Sequence, residues 1–277
     1  MATAHRDPAA DAAAFTVTPI SGALGARIEG IDLAADISDA TFSALRQAWL
    51  DHLVLVFPGQ GHITPEQHTA FAERWGDLHI TPAPDAALPG YPAINLLDFQ
   101  GRPPPTDKWH SDVSMDECPP MGSLLIGRTI PVGGDTIFAN QYLAYEALSD
   151  GMKRMLDGMR AMHTGDTFGK DGGIDPKTLP RNLHPVVRTH PETGRKALYV
   201  NSVYATHFED MTVAESRPLL EYLFAHSVQP NCTFRHHWTA GDMLMWDNRC
   251  LQHFAVADYG AQRRTMHRIT VLGDRPV

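Results

Sequence analysis

The spacing of apolar residues predicts three helices, each preceded by a residue that can cap a helix. These capping residues are Ser38, Thr64 and Thr212. Gln67 stands three residues after Thr64, and Glu215 stands three residues after Thr212. Each pair matches a capping box, in which two side chains satisfy free backbone N–H groups at a helix start. We expect helices on the protein surface at these three places.

Between and after these helices the chain carries short runs rich in β-branched and aromatic residues. The runs are 53–57, 124–130, 136–138, 197–200, 243–246 and 264–272. Because strands outnumber helices and do not alternate with them, the pattern favours a mainly β fold over a doubly wound sheet. We expect an antiparallel sandwich or jelly roll with helices packed outside it.

The length of 277 residues suits one large domain. Neither an internal repeat nor a linker suggests a second one, so we expect a tail over residues 1–14 and one domain over 15–277. The tail lacks the apolar core of a signal peptide. No apolar run approaches the roughly 18 to 20 residues that cross a bilayer.

Charge and cysteine content narrow the partners and the compartment. The formal net charge of −9 gives no field that would gather nucleic acid, so a polyanion partner is not expected. The cysteines are Cys118, Cys232 and Cys250, and they lack metal-site or redox spacing. Three cysteines without such spacing are typical of a protein from a reducing compartment. We therefore expect a cytoplasmic protein without membrane association.

The first candidate for chemistry is the segment Trp109-His110-Ser111-Asp112. On an extended segment, residues two apart share a face, so His110 and Asp112 can converge on one ion. His253 is a candidate third ligand, which would complete the two-histidine, one-carboxylate set of non-haem Fe(II) sites. The pattern is short, however, and the chain has 15 histidines. A structural role for these side chains is therefore the alternative.

The second candidate is the run 264–270, which alternates like a strand. Alternation places Arg264, Met266 and Arg268 on one face and His267 and Ile269 on the other. Two arginines that point inward are costly unless each meets an anion. The strand could therefore present two anion-binding guanidinium groups, and the alternative is an edge strand with both arginines in solvent.

Four motifs follow one another along the chain. They are Trp109-His110-Ser111-Asp112, Gly133-Gly134-Asp135-Thr136, Trp246-Asp247-Asn248-Arg249 with Gln252-His253, and Gln262-Arg263-Arg264-Thr265-Met266-His267-Arg268. In order and spacing they resemble the motifs of the taurine dioxygenase (TauD/TfdA) family. Similarity extends from about Val17 to the end, which is nearly the whole chain.

The resemblance implies a double-stranded β-helix, a cupin-like jelly roll. It also implies an Fe(II)- and 2-oxoglutarate-dependent dioxygenase that uses O2 to hydroxylate a C–H bond and releases succinate and CO2. His110, Asp112 and His253 would hold iron, while Arg264 and Thr136 would hold 2-oxoglutarate. We expect the protein to act on a small anionic organic substrate and to form a homo-oligomer, a dimer or a tetramer.

Arg268 would face the substrate's anionic group, in a pocket that departs from that of the taurine enzyme. Thr81 and Pro84 stand where that enzyme carries a histidine and a tyrosine. Further substrate-binding candidates are Thr106, Phe168 and Tyr204. Losing an imidazole and a phenol removes hydrogen-bond donors, so a less polar substrate body is expected behind the anion.

Several substrate classes and two other functions stay open at this point. The principal expectation is a sulfonate, such as taurine or a related alkylsulfonate, or a sulfate ester. An aryloxyalkanoate or an amino-acid-like carboxylate is the alternative within the same family. A zinc hydrolase could use the same triad with an activated water, and a binding module without catalytic activity could share the fold.

Overall fold

The computed structural model of the protein describes residues 15–80, 86–100, 107–166, 175 and 178–277. Its strands are β1 Thr16–Pro19, β2 Ala26–Glu29, β3 Val54–Phe57, β4 Ala87–Leu88, β5 Tyr91–Gln100, β6 Gly122–Thr129, β7 Thr136–Asn140, β8 Arg160–Thr164, β9 Arg181–Pro185, β10 Val187–Thr189, β11 Lys196–Leu198, β12 Ala205–Phe208, β13 Thr233–His236, β14 Met243–Asp247, β15 Leu251–Ala255 and β16 Arg263–Val271. Its helices are α1 Asp39–His52, α2 Pro65–Glu73, α3 Gln141–Glu146, α4 Asp150–Leu156 and α5 Val213–Ser227. The predicted tail over 1–14 lies outside the described residues.

Two sheets build the centre of the fold. The major sheet has the strand order β1-β2-β3-β14-β6-β16-β5-β4, and the minor sheet has the order β13-β7-β15. Strands far apart in sequence lie side by side, and nearly all of the pairs are antiparallel. This arrangement is the expected jelly roll, or double-stranded β-helix.

The inner core lies between the two sheets. Along β14, Leu244 and Trp246 point to this inner side, where they join Phe138 of the minor sheet in one buried cluster. Met243 and Met245 point to the opposite side of the same strand, into a second cluster. Because both faces are covered, β14 is buried along its whole length.

Helices α1 and α2 cover the outer face of the major sheet. Trp49 of α1 and Trp75, just after α2, pack edge to face with ring centroids 5.2 Å apart. The side chains of Ser38, Thr64 and Thr212 accept hydrogen bonds from the first turns of α1, α2 and α5, and the last two form complete capping boxes. The three predicted helix starts are confirmed.

The predicted strand runs are also strands in the structure, although the run 197–200 belongs to β11, which ends at Leu198. Strand β16 lies between β6 and β5 and forms hydrogen bonds to both. The alternative of an edge strand is therefore wrong. Among the described residues, no helix combines the length and apolar character needed to cross a membrane.

Candidate active site

The two histidines of the candidate triad are brought together by the backbone. The N–H of His110 donates to the carbonyl of His253 at 3.1 Å, and the N–H of His253 donates in return at 2.7 Å. This isolated bridge joins the segment before β6 to strand β15 of the minor sheet. The imidazole rings lie with their centroids 4.2 Å apart, so residues 143 positions apart in sequence share one site.

Asp112 completes the group. Its Oδ1 lies 3.8 Å from Nε2 of His110 and 3.7 Å from Nε2 of His253, and all three residues are buried. The expected extended conformation holds only at His110, because a turn begins at Asp112 and the following Val113 has a positive φ of 45°. That conformation is uncommon for a β-branched residue and bends the chain sharply after the carboxylate.

The protonation of the triad suits a divalent metal. Nδ1 of His110 donates to the carbonyl of Lys108 at 2.7 Å, while its Nε2 has no hydrogen-bond partner among the described residues. Burial lowers the pKa of His110 and lowers that of His253 to about 3, so both rings are neutral and keep a lone pair. Two neutral imidazoles and one carboxylate fit an Fe(II) ion with open positions.

The carboxylate of Asp112 carries the negative charge of the site. Burial raises its pKa, but the charge of Arg268 and the hydrogen bond from Ser123 oppose this effect, and the pKa lies well below its usual range. Ser123 donates to Oδ2 at 2.8 Å and Asn248 donates to the same oxygen at 3.2 Å. Asp112 is therefore ionised although it is buried, as a metal ligand must be.

Arg264 is a buried cation without a paired carboxylate among the described residues. It is 4% exposed, and its Nε donates to the carbonyl of Gly134 at 3.2 Å. Gly134 has a φ of 74°, and a Cβ at this position would lie 3.1 Å from Cδ of Arg264. The glycine turn before β7 thus makes room for the arginine. Its guanidinium remains available for an anion.

Thr136 lines the same small cavity as Arg264 and His253. Its Oγ1 accepts a hydrogen bond from Nε1 of Trp238 at 3.0 Å. Because the indole N–H can only donate, the hydroxyl proton of Thr136 is left to point elsewhere. A threonine hydroxyl and a buried guanidinium in one cavity are groups that could hold a carboxylate.

Arg268 also lines this cavity. It stands four residues after Arg264 on β16 and points to the same face of the strand. Its Nη1 lies 3.4 Å from Oδ1 of Asp112, and its buried Nε has no hydrogen-bond partner among the described residues. Tyr204 lies buried near Asp112 and Arg268, where burial raises the pKa of its phenol, and the charge of Asp112 adds to the effect. Leu97, Phe99 and Leu125 give the cavity an apolar wall.

Three of the predicted substrate-binding residues belong to parts of the chain that the structure does not describe. Thr81, Thr106 and Phe168 lie outside the described residues, as does Pro84.

Three contacts of the site were missed from sequence, namely those of Ser123, Trp238 and Asn248. Ser123 does carry a signal, because it is the one polar residue in the apolar run 121–127, and every residue of this run is buried.

A second group of possible ligands does not form a comparable site. His190, Asp247 and Cys250 are close together and buried. However, Arg249 binds the Asp247 carboxylate through two hydrogen bonds of 2.8 and 2.7 Å, and His190 adds a third of 3.0 Å. The carboxylate is already saturated, so this cluster is a structural ion pair.

Comparison with known sequences agrees with this geometry. The family model described as taurine catabolism dioxygenase TauD, TfdA family, matches residues 16–270. The chain is 33% identical to an alpha-ketoglutarate-dependent sulfate ester dioxygenase of Pseudomonas putida, over 100% of this chain and 96% of that protein. It is 35% identical to an alkylsulfatase of Acinetobacter baylyi, over 92% of this chain and 84% of that protein.

Solved structures are similar over almost the whole chain. A taurine dioxygenase from Burkholderia xenovorans superposes with a TM-score of 0.85 at 34% identity, covering 96% of this chain and 93% of that one. The enzyme AAD-2, in complex with Mn(II) and N-oxalylglycine, superposes with a TM-score of 0.82 at 31% identity, covering 95% and 98%.

Proposed function

The chain belongs to the taurine catabolism dioxygenase TauD/TfdA family, and from this premise we propose that it oxidises a small alkyl sulfate ester or alkylsulfonate. It is an Fe(II)- and 2-oxoglutarate-dependent dioxygenase, which consumes O2 and releases succinate and CO2. The observation that carries the substrate proposal is a second arginine, Arg268, which lies partly buried beside the triad. A partly buried cation at this place favours an anionic substrate.

Within this proposal, His110, Asp112 and His253 hold the iron. Their support is the convergence of three buried donors, with both imidazole lone pairs free. When bound, the iron and its cosubstrate supply the oxidising power, and the protein supplies orientation and charge. The hydrolase alternative has no comparable support, since a hydrolase has no use for the cavity formed by Arg264 and Thr136.

Arg264 and Thr136 bind the distal carboxylate of 2-oxoglutarate. The support is a buried guanidinium that has no carboxylate partner among the described residues. Next to it lies the hydroxyl of Thr136, whose proton points away from Trp238. Arg268 then binds the anionic head of the substrate, and Tyr204 flanks it. Thr81, Thr106 and Phe168 remain predicted contacts of the substrate body.

Two observations favour a sulfate ester or alkylsulfonate over taurine itself. The two sequence relatives named above are, by their names, a sulfate ester dioxygenase and an alkylsulfatase, while one solved structure of similar identity is named a taurine dioxygenase. Threonine and proline at positions 81 and 84 remove donors that a polar ammonium-bearing substrate needs. The apolar cavity wall accommodates an alkyl body instead.

The products identify the substrate class. Hydroxylation of the carbon that carries a sulfate ester oxygen gives an unstable adduct, which collapses to an aldehyde and hydrogen sulfate. Hydroxylation of the carbon that carries a sulfonate gives an aldehyde and sulfite. An aryloxyalkanoate would give a phenol, and a hydrolase would release sulfate without consuming 2-oxoglutarate.

The test begins with anaerobic titration of the protein with Fe(II) and 2-oxoglutarate, followed by visible absorption. We expect a charge-transfer band that shifts when an alkyl sulfate is added. Under air, we expect succinate, aldehyde and sulfate to form in equal amounts. Release of sulfite from an alkylsulfonate would identify the sulfonate as the substrate within the same proposal, whereas release of a phenol would replace it with an aryloxy acid. Absence of the band and sulfate release without O2 would overturn it.

Assembly and location are proposed alongside this function. We expect a homo-oligomer, a dimer or a tetramer, in the cytoplasm, where 2-oxoglutarate is available. Size-exclusion chromatography with light scattering measures the assembly directly, and a monomer at micromolar concentration would contradict the expectation.

A further inference from the structure

The two oxygens of the Asp112 carboxylate have different surroundings. Oδ1 faces the histidines at 3.8 and 3.7 Å and also contacts Arg268 at 3.4 Å. Oδ2 accepts hydrogen bonds from Ser123 at 2.8 Å and from Asn248 at 3.2 Å. One oxygen is therefore presented to the site, and the other is occupied by protein donors.

The amide of Asn248 has only one workable orientation. Its Oδ1 accepts from Nε1 of Trp246 at 3.0 Å and from the backbone N–H of Asp112 at 3.3 Å. A flipped amide would set its NH2 group against two N–H donors and its oxygen against the carboxylate. Since Asn248 is 1% exposed, no solvent could relieve such contacts. Its NH2 group is thus fixed on Asp112.

Ser123 belongs to the same buried network. It is fully buried on β6 and stands opposite Trp246 of β14 in the strand register. Its Oγ accepts a 3.4 Å hydrogen bond from Asn248 while its own proton goes to Asp112. The hydroxyl therefore has one role as acceptor and one as donor, and both orient it toward the carboxylate.

The network also joins two parts of the fold. His110 and His253 are paired with each other on the minor-sheet side of the site. Ser123 and Asn248 lie on or directly after strands of the major sheet. Asp112 is thus fixed to one sheet while its partner ligands belong to the other.

We propose that Ser123 and Asn248 are positioning residues that restrict Asp112 to metal binding through Oδ1 alone. The inference rests on the proposed function, since it requires a metal at the triad. A carboxylate free to rotate could bind through both oxygens and occupy one more position on the ion. Keeping Oδ2 on protein donors preserves the open positions that the cosubstrate and O2 require.

The experiment compares Co(II) binding by the wild-type protein with Co(II) binding by three variants, each with one buried side chain replaced. Ser123→Ala and Asn248→Leu remove donors to Oδ2, and having two variants protects the test if one fails to fold. Ser111→Ala is the matched control, because its hydroxyl is buried in the same segment but donates to the carbonyl of Leu251 at 2.7 Å. Visible Co(II) absorption reports coordination, and titration gives the dissociation constant.

We expect Ser123→Ala and Asn248→Leu to weaken Co(II) binding roughly 10- to 100-fold and to change the visible spectrum. Ser111→Ala should leave both unchanged, even if it lowers the melting temperature. Wild-type affinity and spectrum in both Oδ2 variants would overturn the positioning role. His253→Ala separates this result from failure of the proposed function, because Co(II) binding that survives this change would overturn the triad itself.

Discussion

Nη1 of Arg268 lies 3.4 Å from Oδ1 of Asp112, the carboxylate oxygen that faces both histidines. A substrate anion would attract the same guanidinium, so substrate and metal ligand share one cation. Because Nε of Arg268 is buried without a partner among the described residues, the guanidinium has a free donor for that anion. Occupation of the substrate site should therefore alter the charge felt by the metal ligand.

Arg268→Met is expected to raise the KM for the sulfate ester about tenfold to hundredfold, the usual range for a lost charge-assisted hydrogen bond. The KM for 2-oxoglutarate should stay within about twofold, since Arg264 is intact. Steady-state kinetics with each substrate varied in turn makes the comparison. Arg263→Met is the matched control, because Arg263 on the same strand is exposed and paired with Asp98 at 2.6 Å. Equal effects of both changes would contradict the assignment.

Trp238→Phe is expected to weaken 2-oxoglutarate binding about fivefold. The change removes the indole N–H that donates to Thr136 at 3.0 Å, and a neutral hydrogen bond contributes about 1 kcal/mol. Anaerobic titration of the charge-transfer band gives the dissociation constant. In a Thr136→Val background, Trp238→Phe should have no further effect. An undiminished effect there would mean that Trp238 acts through packing instead.

Arg249→Met is expected to lower the free energy of unfolding by about 3 to 5 kcal/mol, because it leaves the buried carboxylate of Asp247 without its cation. Chemical denaturation measures the loss. Arg27→Met removes an exposed ion pair with Glu29 and should change stability by less than about 1 kcal/mol. Similar losses in the two variants would show that the ion pair of Arg249 with Asp247 is not the reason for the loss of stability.

His68 makes stability depend on pH. The ring is fully buried, and neither nitrogen has a hydrogen-bond partner among the described residues. Burial lowers its pKa from 6.5 to about 3, with the charge of Arg128 contributing. The unfolded chain therefore binds a proton first, and folding stability falls as the pH drops from 6.5 towards 3.

The size of the His68 effect is testable with His68→Leu. Through this one group the wild type should lose about 0.7 kcal/mol of unfolding free energy between pH 7 and 6, and about 1.2 kcal/mol between pH 6 and 5. His68→Leu should remove that part of the slope, as measured by denaturation at pH 7, 6 and 5. An unchanged slope would show that His68 accepts a proton without unfolding.

Sequence reasoning worked best where a signal is local. The helix starts at Ser38, Thr64 and Thr212 depend on contacts within four residues, and each is where the sequence places it. The face shared by Arg264 and Arg268 follows from strand alternation alone. His253 is only a candidate third ligand from its residue type, in a chain with 15 histidines. The family motifs single it out, because no local rule brings such distant residues together.

Other parts could not be predicted because they depend on tertiary contacts. Strand β5 was missed, since Pro92 and Asp98 interrupt its apolar pattern while its pairing with β16 stabilises it. Helices α3 and α4 are short and have little periodicity. The donors to Asp112 come from Ser123 and Asn248, which lie 11 and 136 positions from it. Only the folded sheets bring these side chains to one carboxylate.

Strand β16 also sets the spacing between its two inward-pointing arginines. Arg264 and Arg268 stand four residues apart on a strand held on both sides, which corresponds to roughly 13 Å between their Cα atoms. If each arginine holds one anion, this spacing limits how far apart the anionic ends of cosubstrate and substrate can lie. The reactive carbon is then selected by its distance from the substrate's own charged end. Regioselectivity should therefore be counted from the head group, while tail length changes affinity alone.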